Sequence, residues 1–299
     1  MTQFAEQPDQ AQFIYADIAN FWEVFDQSDK EDAQETIERC YFQRATPGLS
    51  AFIAARIGSS QELLHIIKQK HMYYNAIRDN TLQLHKLESQ IRDTFQNLKS
   101  LLETTVFPPT YFVIGCFSSG GIAFPGGQVI GTEFFARDEQ TPTHELNQWE
   151  LGNTRPLTQL PAIIAHELIH FVHSQHQPEL KVEDFTVLDL AVVEGLAEYF
   201  GEVISKQRST SPHMLYGYQH EHELWQRFSA EMHTNKTQNW FYQGSNVSQE
   251  PADLGYFIGY RIVQHFVENA KDKQSAFLKL LTTKSFVTIF EQSGYRRGL

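Results

Sequence analysis

The sequence predicts an α+β fold that is predominantly helical and contains one small β-sheet. Over most of the chain, apolar residues recur at intervals of three and four, which is the spacing of one face of a helix. One short segment instead shows strand-like apolar runs separated by glycine-rich turns. The composition, 41% hydrophobic and 20% charged over 299 residues, is that of an ordinary globular protein with a sizeable core.

The N-terminal part follows the helical period over residues 9–104. Turn-forming residues interrupt it at 47–48 and at 58–60, and two prolines at 108–109 follow its end. We therefore predict an N-terminal helical region over residues 1–105.

The remainder, residues 106–299, is predicted to begin with a small sheet at 110–136. Residues 111–117 and 129–135 are strand-like, and glycine-containing turns lie between them. The helical period then returns. The predicted helices lie at about residues 160–175, 186–205, 214–233, 253–270 and 273–292.

Charge and composition argue against several classes of function. The chain has 24 basic and 36 acidic residues, a net charge of −12, and no basic run, so a nucleic-acid partner is not expected. No apolar stretch approaches the roughly 18 residues of a membrane span. Two cysteines, Cys40 and Cys116, form neither a disulfide framework nor a cysteine-ligated metal site. Residues 1–9 lack the basic and apolar segments of a secretory signal, which leaves the compartment open.

The chemistry is indicated by the sequence His166-Glu167-Leu168-Ile169-His170. Residues four apart on a helix share a face, so His166 and His170 can reach one metal ion. Zinc suits such a site, because imidazole nitrogen is a good zinc ligand and three protein ligands leave a fourth position for water. Glu167 can take the proton of that water as it attacks a carbonyl. We therefore predict a hydrolase with Zn²⁺ as cofactor and Glu167 as general base.

Two residues compete as the third zinc ligand, and the first is His176. It completes the histidine spacing of the metzincins, and Met214 could belong to the methionine-containing turn of that group. However, His173 stands where metzincins have a glycine, which lets the chain turn sharply out of the helix. A continuing helix would carry His176 away from the ion.

The second candidate is Glu194, on the next predicted helix. The sequence Glu194-Gly195-Leu196-Ala197 resembles a ligand motif of the gluzincins, the class of thermolysin and the zinc aminopeptidases, in which a glutamate completes a His₂Glu zinc site. The resemblance implies that Glu194 is the third ligand. It also places Glu198, one helical turn later, where this class often has a carboxylate that orients a ligand histidine.

A further resemblance concerns Tyr256 and Gly259. In zinc aminopeptidases a tyrosine-x-x-glycine segment supplies the phenol that donates a hydrogen bond to the developing oxyanion. The resemblance implies this role for Tyr256, with Tyr260 as the fallback. Gly255 and Gly259 leave a strip without side chains on which another helix can pack closely, and Asp253 is predicted to cap this helix.

Two longer stretches, residues 41–83 and 111–135, together with the metal motifs resemble an uncharacterised bacterial family of predicted zinc-dependent proteases. That family lies in the same clan as thermolysin. The resemblance implies a zincin-like metallopeptidase core in residues 106–299 and a peptide or protein as substrate.

The strand edge next to the active-site helix is predicted to pair with an extended substrate through Gly120, Gly121 and Ile122. Aminopeptidases of this clan carry a glutamate near this strand that binds the free amine. Here no acidic residue follows before Glu133, so an endopeptidase is preferred. The alternative is a non-catalytic protein that binds metal or a partner on the same scaffold, although such a protein has no need of Glu167 as a base.

Overall fold

The computed structural model describes residues 4–247 and 249–295. The helices are α1 (Ala16–Phe25), α2 (Ala33–Ile37), α3 (Pro47–Phe52), α4 (Ser60–Gln69), α5 (His71–Leu82), α6 (Glu88–Leu101), α7 (Gln148–Asn153), α8 (Leu160–His176), α9 (Val187–Ser205), α10 (Pro212–Glu231), α11 (Gly255–Glu268), α12 (Lys273–Thr282) and α13 (Phe286–Ser293). The strands are β1 (Phe13–Ile14), β2 (Thr110–Val113), β3 (Gly121–Phe124) and β4 (Gly127–Gly131). The predicted α+β class, mostly helical with a small sheet, is confirmed.

The strands form one mixed sheet in the order β1-β2-β4-β3. β2 pairs in parallel with β1 and with β4, and β3 pairs antiparallel with β4. β3 is therefore an edge strand. It lies against α8, so its outer edge borders the helix that carries His166 and His170.

The sheet departs from the sequence prediction at several points. The strand predicted at 129–135 is β4 and ends at Gly131, and the region predicted as turns between the two strands contains β3. Phe13–Ile14 was predicted as helical but forms β1, because a strand of two residues is too short to show an alternating pattern. The strand predicted at 111–117 ends at Val113. Beyond it, the carboxylate of Glu133 accepts hydrogen bonds from the backbone N–H groups of Gly115 (2.9 Å) and Phe117 (3.3 Å), and Phe117 has a left-handed φ of 59°.

The long helices α8, α9 and α11 form the centre of the second half of the chain. α9 begins with a capping box, in which Thr186 and Asp189 each bond to the other's backbone N–H. α9 and α11 cross in close contact at Gly195 and Gly259. A Cβ on Gly195 would lie 2.1 Å from the carbonyl carbon of Gly259, so the two backbones touch where neither has a side chain.

The N-terminal helices bond to the ends of the sheet and to α9. Three buried tyrosine hydroxyls donate to backbone carbonyls: Tyr41 to Ile114, Tyr73 to Glu133 and Tyr74 to Gly115. The side chain of Asn97 donates to the carbonyl of Ile204 at the end of α9. The division into two regions at residue 105 stays a prediction. Within residues 4–247 and 249–295, no helix is both long enough and apolar enough to cross a membrane.

Candidate metal centre

Two histidines of α8 point at each other from successive turns. The Nε2 atoms of His166 and His170 are 3.0 Å apart. The remaining faces of α8 are buried and apolar, with Ile164, Leu168 and Phe171 fully inside, and this packing fixes the rotation of the helix. The spacing of four residues therefore produces the shared face that the sequence predicts.

A carboxylate oxygen of α9 completes the cluster. Glu194 Oε2 lies 3.0 Å from Nε2 of His170 and 3.5 Å from Nε2 of His166. Zinc binds nitrogen and oxygen at about 2.0–2.2 Å, and tetrahedral ligands at that distance are about 3.3 Å apart. The three separations in this structure lie within 0.5 Å of that value. The donor set and its spacing therefore fit a zinc ion with three protein ligands.

Within the cluster Glu194 is buried and the two histidines are partly buried, and the pKa values of Glu194 and His166 depend on one another. Burial alone would raise the pKa of Glu194, but the two histidines hold it well below its usual value. Burial alone would lower the pKa of His166, but the nearby Glu194, Glu198 and Glu167 raise it to about 9. A carboxylate that is only 4% exposed needs a positive charge beside it, which a shared proton or a metal ion can supply.

Glu167 lies beside the cluster on the floor of a cavity of about 1110 Å³. Its side chain makes no hydrogen bond to any residue in the described part of the chain, so its oxygens are available. Burial raises its pKa. Gly121 on β3 allows this position, because a Cβ there would lie 2.7 Å from Cγ of Glu167. Gly120, Gly121 and Ile122 line the same cavity, as expected for the edge strand.

The structure brings Glu198 to the far side of His166. Glu198 Oε1 is 3.5 Å from Nδ1 of His166, the nitrogen that faces away from the cluster. His213, at the start of α10, lies 3.8 Å from the same oxygen and 2.8 Å from the hydroxyl of Ser211. Burial opposes ionisation of Glu198, but His213 and His166 together keep its pKa below the usual value. His213 was not predicted as a site residue.

Tyr256 packs against His166 on the other side of the cavity. The two rings lie 6.2 Å apart and nearly parallel. The half-buried side chain lines the cavity, and its hydroxyl has no hydrogen bond to the residues that the structure describes. Burial raises the pKa of Tyr256, so the phenol keeps its proton. By contrast, the hydroxyl of Tyr260 donates to Glu202 (3.0 Å), away from the cluster.

The predicted reasons for the placement of Tyr256 are only partly right. Gly259 does pack on α9, but Gly255 faces the ring of Phe241 rather than a helix, since a Cβ there would lie 2.2 Å from Cζ of that ring. Asp253 does not cap α11. Its carboxylate instead accepts a hydrogen bond from the backbone N–H of Gln243 (2.9 Å), and its own φ is 68°.

Sequence analysis missed Tyr242, which reaches the third member of the cluster. Its hydroxyl donates a hydrogen bond of 2.6 Å to Glu194 Oε1, the oxygen that faces away from the histidines. The residue as a whole is 57% exposed, and it has a left-handed φ of 57°. The aromatic run Trp240-Phe241-Tyr242 is a weak signal for it in the sequence.

His176 is not brought to the cluster. α8 continues without a turn through His173 to His176, and His176 is exposed at the end of the helix. His173 is buried next to Phe286, and its Nε2 has no partner among the described residues. The third member of the group that could hold a metal is Glu194.

Part of the chain is similar to a known family. Residues 146–287 match a family described as a predicted Zn-dependent protease. This segment runs from just before α7 into α13 and contains all three members of the cluster together with Glu167. Neither a curated protein nor a solved structure gives a significant match. The similarity to this family supports a zinc-dependent protease as the general class of function, with a peptide as the substrate.

Proposed function

We propose that this protein hydrolyses peptide bonds with a zinc ion held by His166, His170 and Glu194. The observation that carries the proposal is the convergence of three ligand atoms from α8 and α9 beside an unpaired glutamate, in a cavity bordered by the edge strand β3. Zinc, when bound, would supply a Lewis acid and a water molecule with a pKa near neutrality.

The side chains of this protein would then take the following roles. Glu167 accepts the proton of the attacking water and afterwards delivers it to the leaving amine. The hydroxyl of Tyr256 donates a hydrogen bond to the oxygen that gains negative charge. Glu198 orients His166 through Nδ1. The backbone of Gly120, Gly121 and Ile122 binds the substrate in an extended conformation.

The His₂Glu set favours a zincin-like core of the gluzincin type, and we propose residues 106–299 as the catalytic domain. The metzincin arrangement is less well supported, because His176 lies at the exposed end of α8. Glu133 does not line the cavity, since it is fully buried and bonded to Gly115 and Phe117. A glutamate that could bind a free amine is therefore missing from the described residues near β3, and this favours an endopeptidase.

The test is Glu167→Gln in the zinc-loaded protein. The amide keeps the shape of the side chain but cannot accept a proton, so kcat on a cleaved peptide should fall by roughly 10²- to 10⁴-fold while zinc content stays the same. Peptide products are measured by mass spectrometry and zinc by elemental analysis. The matched control is Glu223→Gln, on the exposed surface of α10, which should behave like the wild type.

The alternative is a non-catalytic protein that binds metal or a partner on this scaffold. It predicts that the zinc-loaded wild type cleaves no member of a broad peptide library. It also predicts that Glu167→Gln changes no measurable function. Either the first of these results, or hydrolysis at the wild-type rate by Glu167→Gln, would contradict the proposed mechanism.

A further inference from the structure

Two neighbouring arginines, Arg137 and Arg155, have no acidic partner among the described residues, and one of them borders the cavity. Their backbones are bonded, since the N–H of Arg137 donates to the carbonyl of Arg155 (3.2 Å). Arg155 lines the cavity. Its guanidinium donates to neutral backbone carbonyls at Gly152 (2.5 Å), Thr154 (2.9 Å) and Thr210 (3.2 Å).

The guanidinium of Arg137 makes no hydrogen bond, ion pair or ring contact with any residue of the described ranges. Its Nε is buried and unpartnered. Burial and the charge of Arg137 both lower the pKa of Arg155. Partly buried positive charges are costly unless an anion or a polar group neutralises them. An anionic ligand could therefore supply the negative charge that would neutralise these two arginines.

Two carboxylates that line the cavity together with Arg155 are held by other groups. Glu198 is shared between His166 and His213. Glu202 accepts hydrogen bonds from the backbone N–H of Ser209 (2.7 Å) and from the hydroxyl of Tyr260. Among the described residues, no carboxylate oxygen lies within 4.0 Å of a nitrogen of Arg137 or Arg155.

The direction of β3 shows which part of a peptide would reach these arginines. A Cβ on Gly120 would lie 3.2 Å from Phe135 and 3.9 Å from Ile163, whereas one on Gly121 would meet Glu167. An extended peptide that pairs antiparallel to β3 runs the opposite way, from the Phe124 end towards Gly120. Its residues on the C-terminal side of the cleaved bond therefore pass Ile163 and Phe135. The Arg155 backbone is bonded at this place, to the carbonyl of Phe134 (2.6 Å).

We propose that Arg137 and Arg155 form a subsite for a carboxylate that the substrate carries on the C-terminal side of the cleaved bond. The carboxylate is the terminal one or that of an Asp or Glu side chain. This inference rests on the proposed function. Guanidinium and carboxylate groups form short, charge-assisted bonds of matching geometry, so Arg155 binds the anion and Arg137 adds positive charge next to it.

The test uses one N-acetylated peptide library synthesised in three matched forms. The first ends in a free carboxylate and the second in an amide. The third ends in an amide and carries Glu at the penultimate position. The zinc-loaded wild type should cleave the first or the third form roughly 10- to 100-fold faster than the second, the size expected for a charge-assisted contact. Preference for the first form identifies the chain terminus, and preference for the third identifies an acidic side chain.

Variants assign the preference to the two arginines. Arg155→Gln should remove most of it, and Arg137→Gln should reduce it by roughly 3- to 10-fold, while cleavage of the plain amide form stays the same. Arg137→Gln loses no bond to a described residue, so it decides the question if Arg155→Gln does not fold. The matched control is Arg44→Gln, which makes the same change of charge at an ion pair with Glu23 outside the cavity.

Equal cleavage of the three forms by the wild type would overturn the subsite. A preference that Arg137→Gln leaves unchanged would overturn it as well. If the zinc-loaded wild type cleaves none of the peptides, the proposed function fails, and the subsite is then tested separately. In that case calorimetry measures binding of the same three forms to the zinc-loaded Glu167→Gln variant. Tighter binding of a carboxylate form supports the subsite, and equal binding overturns it.

Discussion

The cleft at the candidate metal centre, which is the part of the cavity beside His166, His170 and Glu194, has two sides that are built in different ways. The ligand wall consists of the regular helices α8 and α9, and it carries the three candidate ligands and Glu167. The connection wall consists of residues 240–247 and 249–256, between α10 and the first turn of α11, and it contributes Tyr242 and Tyr256. The ligand wall has only helical backbone at its site residues, whereas in the connection wall Tyr242 and Asp253 adopt left-handed φ values of 57° and 68°.

The strained backbone of the connection wall is held by specific bonds. Gln243 and Asp253 each accept a hydrogen bond from the other's backbone N–H, at 2.9 and 3.0 Å, which brings the ends of the segment together. A non-glycine residue in the left-handed region costs about 1–3 kcal/mol in strained cases, and such residues cluster at functional sites. The comparison teaches that the ligand wall presents the candidate ligands from regular helices, whereas the connection wall places its two phenols from a segment with two left-handed residues.

The largest effect within the connection wall is expected for Tyr256→Phe. If the phenol donates to the developing oxyanion, its loss should lower kcat by roughly 10²- to 10³-fold with unchanged zinc content. Steady-state kinetics on a cleaved peptide, together with elemental analysis, measure both quantities. Tyr260→Phe is the control on the same helix, because its hydroxyl bonds to Glu202 away from the cluster. A near-normal kcat in Tyr256→Phe would show that the connection wall takes no direct part in the reaction.

A smaller effect, on stability, is expected where the two walls meet. In Gly195→Ala the new Cβ would lie 2.1 Å from the backbone of Gly259, so α9 and α11 must move apart. The free energy of unfolding should fall by roughly 1–3 kcal/mol, the usual cost of an overpacked core. Gly201→Ala in the same helix is the control, because its nearest contact would be 3.4 Å away and alanine favours helix. Urea denaturation of the metal-free proteins should separate the two variants; equal midpoints would contradict the close contact.

The ligand wall could largely be predicted from the sequence, for a physical reason. The positions of His166, Glu167 and His170 relative to one another depend only on the helical period, which is local. Glu194 and Glu198 required the resemblance to a ligand motif, and the structure brings both to the histidines. Their roles in binding zinc and in catalysis stay predictions.

The connection wall was harder to predict, because its contacts join residues that are far apart in sequence. Tyr242 and Glu194 are separated by 48 positions, and the aromatic run that contains Tyr242 is only a weak local signal among the twelve tyrosines of the chain. Asp253 was expected to cap α11, but its carboxylate bonds to Gln243 instead, a contact that only the tertiary structure creates. The same limit applies to β1, whose two residues become a strand only by pairing with β2.

The smallest effect, on zinc affinity, is expected for Tyr242→Phe. Measuring this variant beside Glu198→Ala compares the two walls directly. Glu198 and Tyr242 each contact one candidate ligand at the atom that faces away from the cluster, Glu198 at His166 and Tyr242 at Glu194. Removing such an outer partner typically costs 10- to 100-fold in metal affinity. Glu198→Ala should lie within that range, because it removes a buried charge. Tyr242→Phe should cost only about tenfold, since Glu194 keeps its charge and loses one hydrogen bond from an exposed residue.

Competition with a zinc chelator measures both affinities, and Tyr15→Phe is the matched control, a phenol bonded to the carboxylate of Glu88 far from the cleft. A zinc affinity equal to that of Tyr15→Phe would mean that the bond to Glu194 does not orient the ligand. The left-handed backbone of the connection wall would then have to serve the placement of Tyr256 alone.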